Sequence, residues 1–179
     1  MIDFNLIDLF AGLGLLIILL PIIWWRKRTI TALLFFSLFW VYLLAVIGVV
    51  IFPIVPDPNF SFAHFIKSIN IMPFNFGPCQ MHSLCFKSIM DNLLLTIPFG
   101  FGMTLFIHVR RKYLIWIALA MGFGLELTQF VIGILWRSSF RVVDINDVIL
   151  NSSGVLIGYA IFKIFAIVIP LHKYMSTPR

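Results

Sequence analysis

The sequence predicts an all-α fold, a polytopic transmembrane helical bundle with about five spans. Of its 179 residues 61% are apolar and 11% charged, whereas soluble domains run at roughly half apolar and a quarter charged. The apolar residues fall in uninterrupted stretches of roughly the 20 residues that cross a bilayer. The formal net charge of +6 is gathered in short clusters between those stretches, which marks topology and not a nucleic-acid footprint. At this length four to six helices fit and a separate soluble domain does not, so residues 1–179 are read as a single integral membrane domain.

The first span covers Leu6 to Trp25 and closes on Trp24, Trp25 and Arg26-Lys27-Arg28, the aromatic-then-basic order of a helix leaving a bilayer. It follows Asp3 and Asp8, without a basic leader or a small-residue cleavage site, so it is expected to stay in the membrane. The second runs from about Thr31 to Phe52 and stops at Pro53, with Pro56 and Pro58 behind it; proline has no amide donor and clashes one turn back. Residues from Pro53 to Met90 are mixed in character and read as a long surface loop, with the partly apolar stretch Ile69 to Phe76 dipping toward the interface. Three further spans follow at Asn92 to Ile107, about Tyr113 to Leu135 and about Val148 to Pro170.

Basic loops stay in the cytoplasm, and this sets the orientation. With the N-terminus outside, Arg26, Lys27, Arg28, Arg110, Arg111, Lys112, Lys173 and Arg179 lie inside, and only Lys67, Lys87, Arg137 and Arg141 lie outside, with Lys163 within span five. The expected topology is therefore N-terminus outside and C-terminus cytoplasmic, with the long loop and the loop before span five facing outward.

In so apolar a chain the polar residues need a reason. Glu126 lies inside span four, roughly 20 Å from its inner end at 1.5 Å per residue, and an intramembrane carboxylate marks a functional site by default. Gln129 shares its face at i+3. Asp144, Asp147 and Asn151 share one face at the start of span five, and Asp91 and Asn92 open span three at the same level. These groups converge on one end of the bundle, with Arg137 and Arg141 in the adjoining loop as ion-pair partners, and outline an outward-facing polar pocket. Two other readings stand beside it: Asp91 and Asp147 sit at helix N-termini, where capping and the macrodipole favour acidic groups without any ligand, and Glu126 with Gln129 acts as polar glue between helices.

Gly154 and Gly158 form a small-xxx-small pair that lets a helix approach closely, and Pro98 with Gly100 loosens span three. Cys79 and Cys85 fall in the outward loop with His82 midway, where a local disulfide is permitted and free thiols are the alternative. Cys-x-x-His-x-x-Cys supplies no fourth ligand, so no metal is expected, and no cofactor. No nucleophile elbow, Walker loop, zinc-protease helix or dinucleotide fingerprint occurs in the chain.

Three stretches, in order and spacing, resemble the VanZ family. They are Asn70-Ile71-Met72-Pro73-Phe74; Asp91-Asn92 with Ile97-Pro98-Phe99-Gly100; and Glu126-Leu127-Thr128-Gln129-Phe130 with Asp144-Ile145-Asn146-Asp147-Val148, Asn151, Gly154 and Gly158. The resemblance covers about residues 69–160. It implies a multi-pass protein of the bacterial plasma membrane and, as for the family's founding member, an effect on susceptibility to the glycopeptide teicoplanin. The first expectation is a non-enzymatic envelope factor whose pocket meets a cell-wall precursor, a glycopeptide, membrane lipids or a partner membrane protein, alone or as a homo-oligomer, and does not bind nucleic acid. An intramembrane enzyme using Glu126, Asp144 or Asp147 as acid or base, and a transporter or flippase for an envelope lipid or precursor, are the alternatives.

Overall fold

A computed structural model describes residues 1–27, 29–76, 82–107 and 109–168, with side chains at all of these except 26, 27, 82–85 and 168. Among the described residues six helices follow one another: α1 (Leu6–Lys27), α2 (Ile30–Ile51), α3 (Phe62–Ser68), α4 (His82–Phe106), α5 (Arg111–Leu135) and α6 (Ile145–Val168). All but the short α3 are long and apolar enough to cross a membrane. Large apolar side chains stand exposed along their flanks, among them Ile17, Leu34, Trp116 and Ile164; on a membrane helix such a face is turned to lipid.

Local chemistry sets the helix ends. Asn5 Oδ1 accepts from the amides of Ile7 and Asp8 while Asp8 Oδ2 accepts from the amide of Asn5, a reciprocal cap that starts α1. Thr29 Oγ1 accepts from the amide of Ala32 and starts α2, which ends where Pro53 follows. α5 closes with Arg137 in the left-handed region at φ 51°. The amides of Arg137 and Ser138 return to the carbonyls of Ile134 and Gly133, the double bond of a Schellman ending.

α1 and α2 form an antiparallel hairpin, joined where Trp40 Nε1 donates to the Gly12 carbonyl at 2.9 Å. The tightest pairing is the parallel one between α4 and α6. A Cβ on Gly100 would collide with the Val155 carbonyl, one on Gly154 with Thr96 Oγ1 and the Leu93 carbonyl, and one on Gly158 with the Ile97 carbonyl. The small-residue pair read from the sequence is thus the seam along which two backbones meet. α5 lies antiparallel against α6, with Ser152 Oγ donating to the Ala118 carbonyl; Met103, Ala118 and Val155 centre the core. α2 leans on α4 through Phe39, which meets Phe99 and Phe106.

Two expectations need correction. Span three starts a turn and a half earlier than Asn92, since the apolar stretch of α4 runs Phe86–Phe106 within a helix that begins at His82. Its first turns are too polar to register as a span. The long loop also contains α3, whose Phe65 (3% exposed) inserts against Gly133, Phe60 and Phe130. Pro98 does not interrupt α4. Proline disturbs the carbonyls one turn back, and there Tyr42 Oη donates to the Leu95 carbonyl.

Candidate functional site

The polar residues gather at the end of the bundle where α2 and α5 finish and α4 and α6 begin. They form two separate arrangements. The first is centred on Asp144, which caps α6. Its Oδ1 accepts from the Asn146 amide at 2.7 Å and from Asn146 Nδ2 at 2.9 Å, and Asn70 Nδ2 reaches both carboxylate oxygens at 3.0 Å. Glu126, 4% exposed, accepts from the Asp144 amide at 2.9 Å. Asn146, fully enclosed, accepts from the Phe74 amide at 2.6 Å and donates to the Asn75 carbonyl. A parallel bridge between Asn70 and Asp144 completes the set: the Asn70 amide donates to the Val143 carbonyl and the Ile145 amide to that of Asn70. The segment 70–75 is thereby fastened to the start of α6. A small apolar recess of about 220 Å³ adjoins this knot.

The second arrangement lies on the neighbouring faces of α4 and α6. Asn92 Nδ2 donates to Asp147 Oδ1 at 2.7 Å, Asn151 Nδ2 donates to Asn92 Oδ1 at 3.3 Å, and Thr96 Oγ1 donates to the Asn151 carbonyl at 2.7 Å. Lys87 Nζ pairs with Asp91 Oδ2 at 2.7 Å, one turn apart on the exposed side of α4. Arg141 approaches from the α5–α6 loop. One of its guanidinium nitrogens donates to the carbonyls of Val49 at 2.7 Å and Phe52 at 3.1 Å, where the negative end of the α2 dipole favours a cation.

Lys87, Asp91, Asn92, Arg141 and Asp147 border a cavity of about 850 Å³ between α2, α4 and the α5–α6 loop. Its polar side is Lys87, Asp91, Asn92, Gln129, Arg141 and Asp147; its apolar side is formed by valines of α2 and by Leu94, Leu95 and Pro98 of α4. The volume falls within the range of small-molecule pockets.

Of the residues singled out in the sequence, Asp91, Asn92, Gln129, Asp147 and Arg141 border the cavity. Asn151 lies buried behind Asn92. Glu126 and Asp144 belong to the knot instead. Arg137 lies apart: its carbonyl accepts from the Asp57 amide and its guanidinium sits over the Phe60 ring. Neither arginine pairs with a carboxylate among the described residues. The helix-terminus reading fails for Asp91, which lies in the third turn of α4; Asp147 lies in the first turn of α6, where the dipole favours an acidic group, although the cap itself is Asp144.

The sequence reading named Asn70 and Asn146 in the family-like stretches and gave neither a role at the site. The run Asp144-Ile-Asn-Asp before an apolar stretch carried the signal, since an aspartate whose side chain meets the amide two residues on is a helix start. The pairing expected of Cys79 and Cys85 lies outside the described residues: Cys79 is not described and Cys85 is described only as backbone. Among the described residues no group of three or more His, Cys, Asp or Glu is placed to hold a metal.

No curated protein and no solved structure matches the chain. A family model does: VanZ/LLP1, over residues 39–166. The match takes in α2 from Phe39 onward, the segment 70–75 and all four helix ends that frame the cavity, more than two thirds of the chain. The protein belongs to the VanZ/LLP1 family.

Proposed function

We propose that this VanZ-like membrane protein acts at the cell envelope by binding an envelope component in the cavity between α2, α4 and the α5–α6 loop, and thereby alters susceptibility to glycopeptides such as teicoplanin. The observation that supports this reading is the placement of the cavity. It lies at the bundle end opposite Arg26, Lys27 and the cluster Arg110-Arg111-Lys112, and a membrane protein keeps such clusters in the cytoplasm. On that topology the cavity opens on the side where glycopeptides meet their precursors.

The action requires binding and no turnover. Asp147 and Asn92 are held against each other, Arg141 is fixed on the end of α2, and the apolar wall admits the hydrocarbon part of an amphiphile. In a sensitive Gram-positive host, expression of the wild-type chain raises teicoplanin tolerance, with vancomycin measured alongside. Ala45→Trp, which fills the cavity from α2, returns tolerance toward the empty host at matched membrane levels. Unchanged susceptibility in cells carrying the wild-type chain would overturn the reading.

A further inference from the structure

Among the described residues four charged side chains border the cavity, two of each sign, and they are not equivalent. Lys87 and Asp91 satisfy each other in an exposed ion pair. Arg141 and Asp147 are half-buried, and neither meets an opposite charge among the described residues. Arg141 is anchored through a single nitrogen on the Val49 and Phe52 carbonyls, while its Nε is buried with no hydrogen-bond partner among the described residues. With one terminal nitrogen engaged and Nε buried, the other terminal nitrogen is left as a charged donor suited to a phosphate oxygen. Asp147 has one oxygen engaged by Asn92, and a carboxylate carries further acceptor capacity suited to an ammonium.

Formal charge on the described residues around the cavity sums to zero, so a purely anionic or purely cationic ligand would leave one of these two half-buried groups without a counter-charge. A ligand bearing both signs matches both. The apolar wall shows how the rest of it is accommodated. Val49 and Leu94 border the cavity and are 57% and 61% exposed on the bundle's flank, so the cavity is continuous with the lipid-facing surface between α2 and α4. These two helices close on each other only further along, at Tyr42 with Leu95 and Phe39 with Phe99.

We infer that the cavity takes the headgroup of a zwitterionic aminophospholipid, its phosphate on Arg141 and its ammonium on Asp147, with the acyl chains leaving between α2 and α4. The inference rests on the cavity being the functional site and names its ligand class.

The test is native mass spectrometry of the purified full chain in detergent, offered equal amounts of dioleoyl phosphatidylethanolamine and dioleoyl phosphatidylglycerol. Wild type retains phosphatidylethanolamine several-fold over phosphatidylglycerol. Arg141→Gln loses most of both, and Asp147→Asn, which keeps the side-chain shape, brings the two lipids to parity. Excess O-phosphoethanolamine leaves the bound lipid in place, which separates a lipid from a soluble headgroup. Equal retention by wild type, a preference for phosphatidylglycerol, displacement by the soluble headgroup, or an unaltered preference in Asp147→Asn would each overturn the inference. Should the lipid preference be missing while wild type still raises teicoplanin tolerance in a manner lost in Ala45→Trp, this inference falls and the functional reading stands. A lipid preference without any change in tolerance supports the inference and removes the functional reading.

Discussion

Asp144 and Asp147 stand one turn apart at the start of α6, yet they are embedded in opposite ways. Around Asp144 the partners converge: Asn70, the amide and side chain of Asn146, and Glu126 behind its own amide. Around Asp147 the bonding comes from Asn92, and the carboxylate borders an open cavity that it shares with Arg141. Identical residue types at adjacent turns therefore serve different ends. A carboxylate whose acceptor sites are filled by the chain itself is a fastening, and one that faces unfilled space has capacity left for something else.

The sharpest way to break this contrast is to delete each carboxylate. Asp144→Ala removes a helix cap, orphans the Asn146 amide and leaves the side chains of Asn70 and Asn146 each short of one acceptor, so a loss of about 2–4 kcal/mol is expected in thermal unfolding of the detergent-solubilised protein. Asp147→Ala leaves mainly Asn92 short of one partner and is expected to cost about 1 kcal/mol or less. Equal losses for the two variants would erase the distinction between knot and cavity.

Glu126 gives the next largest effect. Glu126→Leu abolishes the acceptor for the buried Asp144 amide and is expected to lower stability by about 1–3 kcal/mol, whereas Glu126→Gln keeps an acceptor oxygen and most of that stability. Lys87→Gln is the smallest. Its pair with Asp91 is exposed, with side chains 71% and 58% accessible, and such pairs contribute about 0–1 kcal/mol, so the melting temperature is expected to stay nearly unchanged. Orientation sharpens the contrast from another side. In a chain freed of its native cysteines, a membrane-impermeant maleimide applied to intact cells is expected to label Ser139→Cys and not Arg111→Cys.

The sequence was informative where one physical rule governs a long stretch. Five apolar runs gave five long helices because a bilayer demands about 20 apolar residues per crossing, and Gly154 with Gly158 announced the close approach of α4 and α6. It was less informative where partners are distant in the chain. Counting along helices put Glu126 in the pocket with Gln129, but it could not show that Glu126 turns to the Asp144 amide while Gln129 faces the cavity. Arg137 and Arg141 looked alike as loop cations. One completes the ending of α5 and the other crosses to the end of α2, and both placements are set by backbone carbonyls that no side-chain pattern records. The polar start of α4 and the short α3 escaped for a related reason, since a few turns held by tertiary contacts carry little periodicity of their own.

The most direct test of the central claim, that the cavity and not the knot carries the function, is teicoplanin tolerance of cells expressing Asp147→Asn or Glu126→Gln beside wild type, at matched levels of folded membrane protein. The account predicts that Asp147→Asn loses the tolerance wild type confers and that Glu126→Gln keeps it. Loss in Glu126→Gln with full tolerance in Asp147→Asn would contradict it.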